Sequence, residues 1–325
     1  MSFKYINPGY AKFLVCKTSS SLTQYTNTEK SRTGVAFRNY RTDNGNYINL
    51  SDKFSGEDFW GKFDFYYDLS QTNGYEFQFG ELKDSYYMSL QNGISIGLGS
   101  YIVRAYLSAT SSSIISSNYA EFHQISGLKP NAINSIWLHI KYGSLGEGFI
   151  EFQINNKKSD PIKTKAVNRY SNSNFHVCLD SWTSAADYFS SVIISDEEIS
   201  PNERVVALPI SNTVSDMDSL PSGLYTADTA GETLLQSPNI SALIADYGSN
   251  TNVTGIAMIG NPAYQVDDII GNVTSLSKEN NVVTEHDNIT LLTDTDAMIV
   301  SSFSLASNTT IADLSNMQFG WRSEE

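Results

Sequence analysis

Acidic side chains at strand-like spacing are the first candidates for chemistry in this sequence. Asp64 and Asp68 lie in the run 62–68, Glu76 lies in the next β-type run, and Glu81 follows shortly after it. Two carboxylates about 5 to 9 Å apart can cleave a glycosidic bond, one as the acid and the other as nucleophile or base. Asp64 and Asp68, however, alternate with aromatic residues, which is typical of the solvated face of a strand. We therefore expect these two carboxylates to be solvated and not to be catalytic.

Calcium is the metal that an Asp- and Asn-rich chain would suit, because Ca²⁺ takes about six to eight oxygen ligands. The candidate ligands are Asp180 and Asp187, which flank Trp182, together with Asp294 and Asp296. None of them belongs to an EF-hand loop, so solvated turns are the alternative interpretation. We expect that the protein requires no cofactor, and Ca²⁺ is the one ion that we consider as a ligand.

The other reactive residue types indicate no catalytic site. His139 and His176 fall in strand-like runs, where an imidazole satisfied by its neighbours or exposed at the surface is the expected role. Cys16 and Cys178 are too few for a zinc site. We interpret them as two buried free thiols, and a disulfide between them is the alternative interpretation. A serine triad is not supported either, and we expect no enzyme.

Charge divides the chain into two parts. The 325 residues carry a formal net charge of -14. Residues 1–200 hold 18 basic and 19 acidic side chains, whereas residues 201–325 hold 3 and 16, giving -1 and -13. Nucleic-acid binding requires clustered Lys and Arg, so an acidic chain predicts no nucleic-acid partner. Because most aromatic residues also lie in the first part, we predict a domain at 1–200, a linker at 201–211 and a domain at 212–325.

Short β-type runs separated by turn residues fill the first 200 positions. Residues 62–68 and 75–79 alternate polar and aromatic side chains, as strands with one buried face do. Asn, Gly, Ser and Asp cluster between such runs and favour turns. The pattern predicts an all-β chain, a two-sheet antiparallel jelly-roll sandwich followed by a smaller β-rich C-terminal domain. The C-terminal elements that we expect are strands at 255–259, 289–292 and 297–300 and helical turns at 240–246 and 266–270.

Two segments resemble a known superfamily. Residues 134–142 and 146–157 contain a tryptophan-led strand followed by a strand that ends in Asn155-Asn156-Lys157, and this pattern resembles laminin-G-like domains. Residues 187–200 are similar to the closing strand and tail of the same group, the concanavalin A-like lectin and glucanase superfamily. The resemblance covers residues 1–205 and implies a jelly roll of the kind used by lectins, glycan-cleaving enzymes and adhesion modules. The Glu-x-Asp-x-Glu signature of the related glucanases is absent, which disfavours a hydrolase.

Aromatic residues are the candidates for sugar contact, since pyranose rings stack on exposed aromatic faces beside hydrogen-bonding side chains. Adjacent tyrosines on a strand point to opposite faces, so one of each pair is expected to be exposed. Trp137 and Trp60 are expected in the core. The candidate carbohydrate-binding residues are Tyr66, Tyr87, Tyr101 and Trp182.

These observations favour a non-enzymatic structural or adhesion protein that contacts glycan or protein, as a homo-oligomer or within a larger assembly. We expect a phage virion component, such as a tail fibre or a capsid-decorating protein; the N-terminus shows no signal peptide. A bacterial cell-surface carbohydrate-binding module is the alternative, and a glucanase-type glycoside hydrolase comes third. The corresponding location is the virion or the cell surface. We expect no membrane insertion, because no apolar run approaches the about 20 residues that a membrane-spanning helix needs.

Overall fold

The alternating runs of the sequence become antiparallel strands in the computed structural model, and the predicted all-β class is confirmed. The chain divides into two units, Met1–Val206 and Ala207–Glu325. No helix of the described residues is both long and apolar enough to cross a membrane. The structure describes residues 4–7, 15–16, 22–26, 29–33, 35–39, 46–49, 56–67, 76–82, 90–97, 102–106, 119–124, 127–144, 146–163, 176–181, 187–221, 225–260, 271–291 and 299–324.

The first unit contains two large sheets. Its strands are β1 (Lys4–Asn7), β2 (Val15–Cys16), β3 (Leu22–Thr26), β4 (Val35–Asn39), β5 (Asn46–Asn49), β6 (Asp58–Tyr67), β7 (Glu76–Leu82), β8 (Leu90–Gly97), β9 (Ile102–Tyr106), β10 (Tyr119–Gln124), β11 (Ala132–Lys141), β12 (Phe149–Ile154), β13 (Lys157–Lys158), β14 (His176–Ser181) and β15 (Asp187–Ser195). Sheet A has the order β13-β12-β11-β6-β15-β4-β3, and β1 also pairs with β15. Sheet B has the order β10-β9-β8-β7-β14-β5-β2.

Aromatic side chains join the two sheets. Phe59 and Phe63 of β6 are fully buried and contact Phe79 of β7, with ring centroids 6.1 and 4.8 Å apart. Gly61 lies between them, and a Cβ atom there would come within 2.2 Å of Cζ of Phe79. The glycine therefore makes room for the Phe79 ring at the centre of the sandwich.

The segment that carries the superfamily resemblance is held by a buried amide network. Asn155, at the turn after β12, has a positive φ of 51°, and its Oδ1 accepts a hydrogen bond from the backbone N–H of Ser135 at 2.9 Å. Its Nδ2 donates to the carbonyl of Gly127 at 2.7 Å and to Oδ1 of Asn134 at 2.9 Å. Asn134 is completely buried. The asparagines of this motif therefore fix the β11–β12 hairpin.

The chain after β15 crosses the outer face of sheet A. Trp137 is buried, as predicted, and its Nε1 donates to the carbonyl of Ile199 at 2.6 Å. The ammonium of Lys62 donates to the carbonyls of Pro201, at 2.7 Å, and of Glu203. Burial lowers the pKa of Lys62 from 10.5 to about 8, and the charge of Asp64 opposes that shift. This tail, residues 196–206, therefore covers the middle of the sheet.

Cys16 and Cys178 lie on sheet B but not on neighbouring strands. Cys178 pairs with Tyr47 and Cys16 with Asn46, both on β5, which separates β2 from β14. Adjacent strands lie about 4.8 Å apart, so Cα atoms on either side of an intervening strand are about 10 Å apart. A disulfide needs a Cα separation of about 4.4 to 6.8 Å. The open alternative of a disulfide is therefore wrong.

The second unit has a five-stranded sheet in the order β16-β19-β24-β21-β22 and two two-stranded sheets, β17-β18 and β20-β23. Its elements are β16 (Ile210–Ser215), β17 (Asp218–Ser219), β18 (Tyr225–Thr226), β19 (Thr233–Pro238), α1 (Ile240–Tyr247), β20 (Gly255–Gly260), β21 (Asn272–Glu279), β22 (Val282–Thr290), β23 (Ile299–Ser304), a 3₁₀ helix (Asp313–Asn316) and β24 (Met317–Glu324). Leu243, Met258, Leu314 and Phe319 form its core. The predicted helical turn at 240–246 is confirmed, and the one at 266–270 lies outside the described residues.

Candidate functional site

Strands β6, β11 and β12 place alternate side chains on the outer face of sheet A. His139 of β11 is opposite Trp60 of β6 on one side and Glu151 of β12 on the other. Its neighbours Leu138 and Ile140 point into the core and are fully buried. Because strand side chains alternate, His139 and the residues opposite it lie on the outer face.

His139 is held by two carboxylates and two rings. Its Nε2 lies 2.8 Å from Oδ1 of Asp58, and its Nδ1 lies 3.2 Å from Oε1 of Glu151. The Trp60 ring stacks on the imidazole, with centroids 4.3 Å apart and planes 12° apart. The Phe149 ring meets it edge-on at 4.9 Å. We call Asp58, Trp60, His139, Phe149 and Glu151 the His139 cluster.

Basic side chains border the His139 cluster. Nζ of Lys158 lies 2.9 Å from Oε2 of Glu151 and 5.1 Å from the ring centroid of Trp137. The side chain of Glu151 is only 13% exposed and that of Lys158 is 50% exposed. Each oxygen of Glu151 thus has one protein partner and lone pairs that remain for a further donor. Chemically, the cluster offers fixed carboxylate acceptors beside aromatic rings.

The satisfied role expected for His139 is confirmed, while the place of Trp60 differs from expectation. Trp60 is half-buried on the outer face instead of lying in the core. Sequence reasoning did not group these residues, because Asp58 is separated from His139 by 81 positions and only the strand register brings them together.

Tyr66 is the one predicted sugar-contact residue in the part of the chain that the structure describes. Its ring meets that of Tyr188 edge-on at 6.2 Å. The ammonium of Lys30 lies 4.2 Å from the Tyr188 centroid and 5.2 Å from that of Tyr66. Tyr66 is half-buried. The other three candidates, Tyr87, Tyr101 and Trp182, lie outside the described residues.

The candidate calcium ligands fall on different elements. Asp180 belongs to β14 of sheet B and Asp187 begins β15 of sheet A. Asp294 and Asp296 lie outside the described residues. Within the described ranges, no group of three or more His, Cys, Asp or Glu residues is arranged to hold a metal ion.

Asp64 does not lie on a solvated face, so that expectation is wrong. It is 3% exposed, its Oδ1 accepts a hydrogen bond from the Ser135 hydroxyl at 2.5 Å, and its Oδ2 lies 3.2 Å from Nε of Arg32. Both carboxylate oxygens thus have protein partners, which is a structural role. Asp68 lies outside the described residues.

Residues 93–97 read Gly-Ile-Ser-Ile-Gly, which has the spacing of a hydrolase nucleophile elbow. That elbow is a sharp turn between a strand and a helix. Here the residues are the centre and end of strand β8, with Ile94 and Ile96 fully buried. The spacing therefore reflects strand alternation.

Comparisons with known proteins show structural similarity at low identity. No protein-family model and no curated protein matches this chain. Endo-β-1,4-glucuronan lyase from the fungus Trichoderma reesei is 12% identical with a TM-score of 0.47, over 61% of this chain and 98% of that one. Carbohydrate-binding module CBM66 from Bacillus subtilis is 12% identical with a TM-score of 0.35, over 55% and 93%. The carbohydrate recognition domain of Emp46p, in its potassium-bound form, is 15% identical with a TM-score of 0.35, over 59% and 100%. Similarities at these scores carry no inference about activity.

Proposed function

We propose that residues 1–206 are a lectin-like carbohydrate-binding module of a non-enzymatic structural or adhesion protein. The observation that carries this proposal is the His139 cluster, in which two carboxylates and two aromatic rings share one outer face of a β-sandwich. Sugars need this combination, because their apolar ring faces stack on aromatic rings while their hydroxyls bond to polar side chains nearby.

The cluster is organised before any ligand arrives. His139 and Lys158 hold the two oxygens of Glu151, and His139 also holds Oδ1 of Asp58. An ionised carboxylate accepts about four hydrogen bonds, so both groups can accept further bonds from hydroxyls. Since their rotamers are already restrained, little additional side-chain entropy is lost on binding.

A glycan array probed with the full chain, with and without added Ca²⁺, tests this function. We expect retention of at least one glycan class, with the glycan recovered uncleaved. Trp60→Ala and Glu151→Gln are expected to weaken binding about three- to tenfold, the effect of losing one ring contact or one polar contact. Glu151→Gln conserves the side-chain shape and so guards against a folding defect in Trp60→Ala.

The matched control is Tyr247→Ala, which removes a 44% exposed aromatic side chain from the second unit. It is expected to bind like the parent protein. Absence of binding to every glycan, or equal binding by the parent, Trp60→Ala and Glu151→Gln, would refute the proposal. If binding depends on Ca²⁺, the candidate ligands of that ion are the aspartates Asp180, Asp187, Asp294 and Asp296. If substituting Tyr66, Tyr87, Tyr101 or Trp182 abolishes binding, the glycan contact surface includes the substituted residue.

The setting that we propose is a phage virion, with the protein as a tail fibre or capsid decoration. The abundance of Ser, Thr and Asn supports this setting. Mass spectrometry of purified particles is expected to detect the chain, and sedimentation is expected to show an oligomer. A strict monomer that is absent from particles would instead favour a bacterial cell-surface carbohydrate-binding module.

A further inference from the structure

The second unit contains a pocket that the proposed glycan contact does not involve. It has a volume of about 430 Å³ and is partly open to solvent. Strands β21, β22 and β23, the start of β24 and the 3₁₀ helix contribute its lining residues. A volume in this range accommodates a ligand of roughly monosaccharide size.

Two stacked rings form one side of this pocket. The imidazole of His286 lies parallel to the Phe303 ring, with centroids 3.6 Å apart and planes 3° apart. Nε2 of His286 is 2.8 Å from Oγ of Ser277, which fixes the orientation of the imidazole. Partial burial lowers the pKa of His286 below its usual value, while the charge of Asp287 opposes this shift, so burial favours the uncharged imidazole. The stack therefore offers a flat, uncharged, π-rich surface.

The charged residues around the stack are carboxylates. Glu279 and Asp313 line the pocket, and among the described residues its lining includes neither Lys nor Arg. Oδ2 of Asp313 accepts hydrogen bonds from the backbone N–H and the hydroxyl of Thr310, at 2.8 and 2.7 Å. These bonds hold the pKa of Asp313 below its usual value, so the carboxylate is ionised at neutral pH. The pocket thus attracts cations and repels anions.

Neutral hydrogen-bonding groups complete the wall. Asn308 and Asn316 contribute amide donors and acceptors, and hydroxyls of Ser and Thr residues lie among them. A ligand for this pocket needs three properties: a positive charge for the carboxylates, a face that packs on Phe303 and hydroxyls for the amides. We propose that the pocket binds an amino sugar, that is, a hydroxylated ring that carries a protonated amine.

Titration of the full chain with glucosamine, followed by NMR of the isotope-labelled protein, tests the proposal. We expect saturable shift changes confined to residues 271–317. Glucose and N-acetylglucosamine have the same ring without the positive charge, and they are expected to bind about two- to fivefold more weakly, the effect of one exposed ion pair. Equal affinity for all three sugars would overturn the assignment of a cationic ligand, and no saturable change would overturn the site.

Variants locate the binding. Glu279→Gln is expected to weaken glucosamine binding about two- to fivefold and to leave the affinity for glucose unchanged. Phe303→Leu is expected to weaken binding of both sugars. The control Glu285→Gln removes the same charge from β22 at a residue that pairs with Arg322 and does not line the pocket. Equal glucosamine affinity in all three variants would overturn the proposal.

The same spectra separate this proposal from the glycan contact of the first unit. Shift changes within residues 1–206 report the His139 cluster, whereas changes within 271–317 report the pocket. Trp60→Ala is therefore expected to leave glucosamine binding at the pocket unchanged. Glucosamine shifts confined to 1–206 would overturn the pocket proposal and leave the module proposal standing.

Discussion

Lys62 couples the stability of the first unit to pH. Its side chain is 3% exposed under the tail, and burial lowers its pKa to about 8 from 10.5. Between these two values the unfolded chain binds the proton that the folded chain has lost. Stability therefore rises with pH across this window, by about 1.4 kcal/mol for each pH unit well inside it. From about pH 7 to pH 9.5 the contribution of Lys62 grows by about 2 kcal/mol.

Lys62→Met removes this dependence and keeps an unbranched side chain of similar length. Urea unfolding is measured at several pH values in a Trp321→Phe background, because the other three tryptophans of the chain, Trp60, Trp137 and Trp182, belong to residues 1–206. Their fluorescence therefore reports the first unit alone. Between about pH 7 and pH 9.5, we expect the free energy of unfolding of the Lys62 protein to increase by about 2 kcal/mol relative to that of Lys62→Met.

The exposed lysine Lys141, on neighbouring strand β11, provides the control. Lys141→Met is expected to retain the full pH dependence. Titration of other groups affects every variant equally and cancels in the comparison. A stability difference between the parent and Lys62→Met that stays flat from pH 7 to 9.5 would refute the reasoning. It would mean that the carbonyls of Pro201 and Glu203 keep the ammonium charged despite its burial.

Three further predictions concern the sandwich. Gly61→Ala is expected to lower the free energy of unfolding, measured in urea, by about 1 to 3 kcal/mol, because the new Cβ would overlap the Phe79 ring. Adding Phe79→Leu to this variant is expected to restore part of the lost stability. Trp137→Phe is expected to lower the free energy of unfolding by about 1 to 2 kcal/mol, because it removes the hydrogen bond to the tail. It is also expected to speed proteolysis within residues 196–206. An unchanged cleavage rate would show that this bond does not anchor the tail. Cys16 and Cys178 are expected to be alkylated together in denaturant without reductant, and an intact mass lacking both adducts would contradict the strand order.

Periodicity located the strands wherever one face was uniformly apolar. The strand predicted within residues 146–157 is observed at Phe149–Ile154, where every second side chain is fully buried. Strand β6 begins at Asp58, four residues before the predicted run, because Gly61 occupies an inward position and hides the alternation. Asp64 follows the alternation correctly, yet it is 3% exposed, because Ser135 and Arg32, which are distant from it in sequence, contact its two carboxylate oxygens.

The sequence by itself determined the all-β class, the outward or inward parity of most strand residues and the concentration of negative charge after residue 200, because these follow from local patterns and composition. Only the tertiary structure decided which outward residues meet. His139 contacts Asp58 and Glu151 through the register of three strands, and His286 stacks on Phe303 through contacts between separate strands. The period-two pattern is the same in every strand, so it cannot specify partners; core packing and turn geometry select the register, and the register creates the sites.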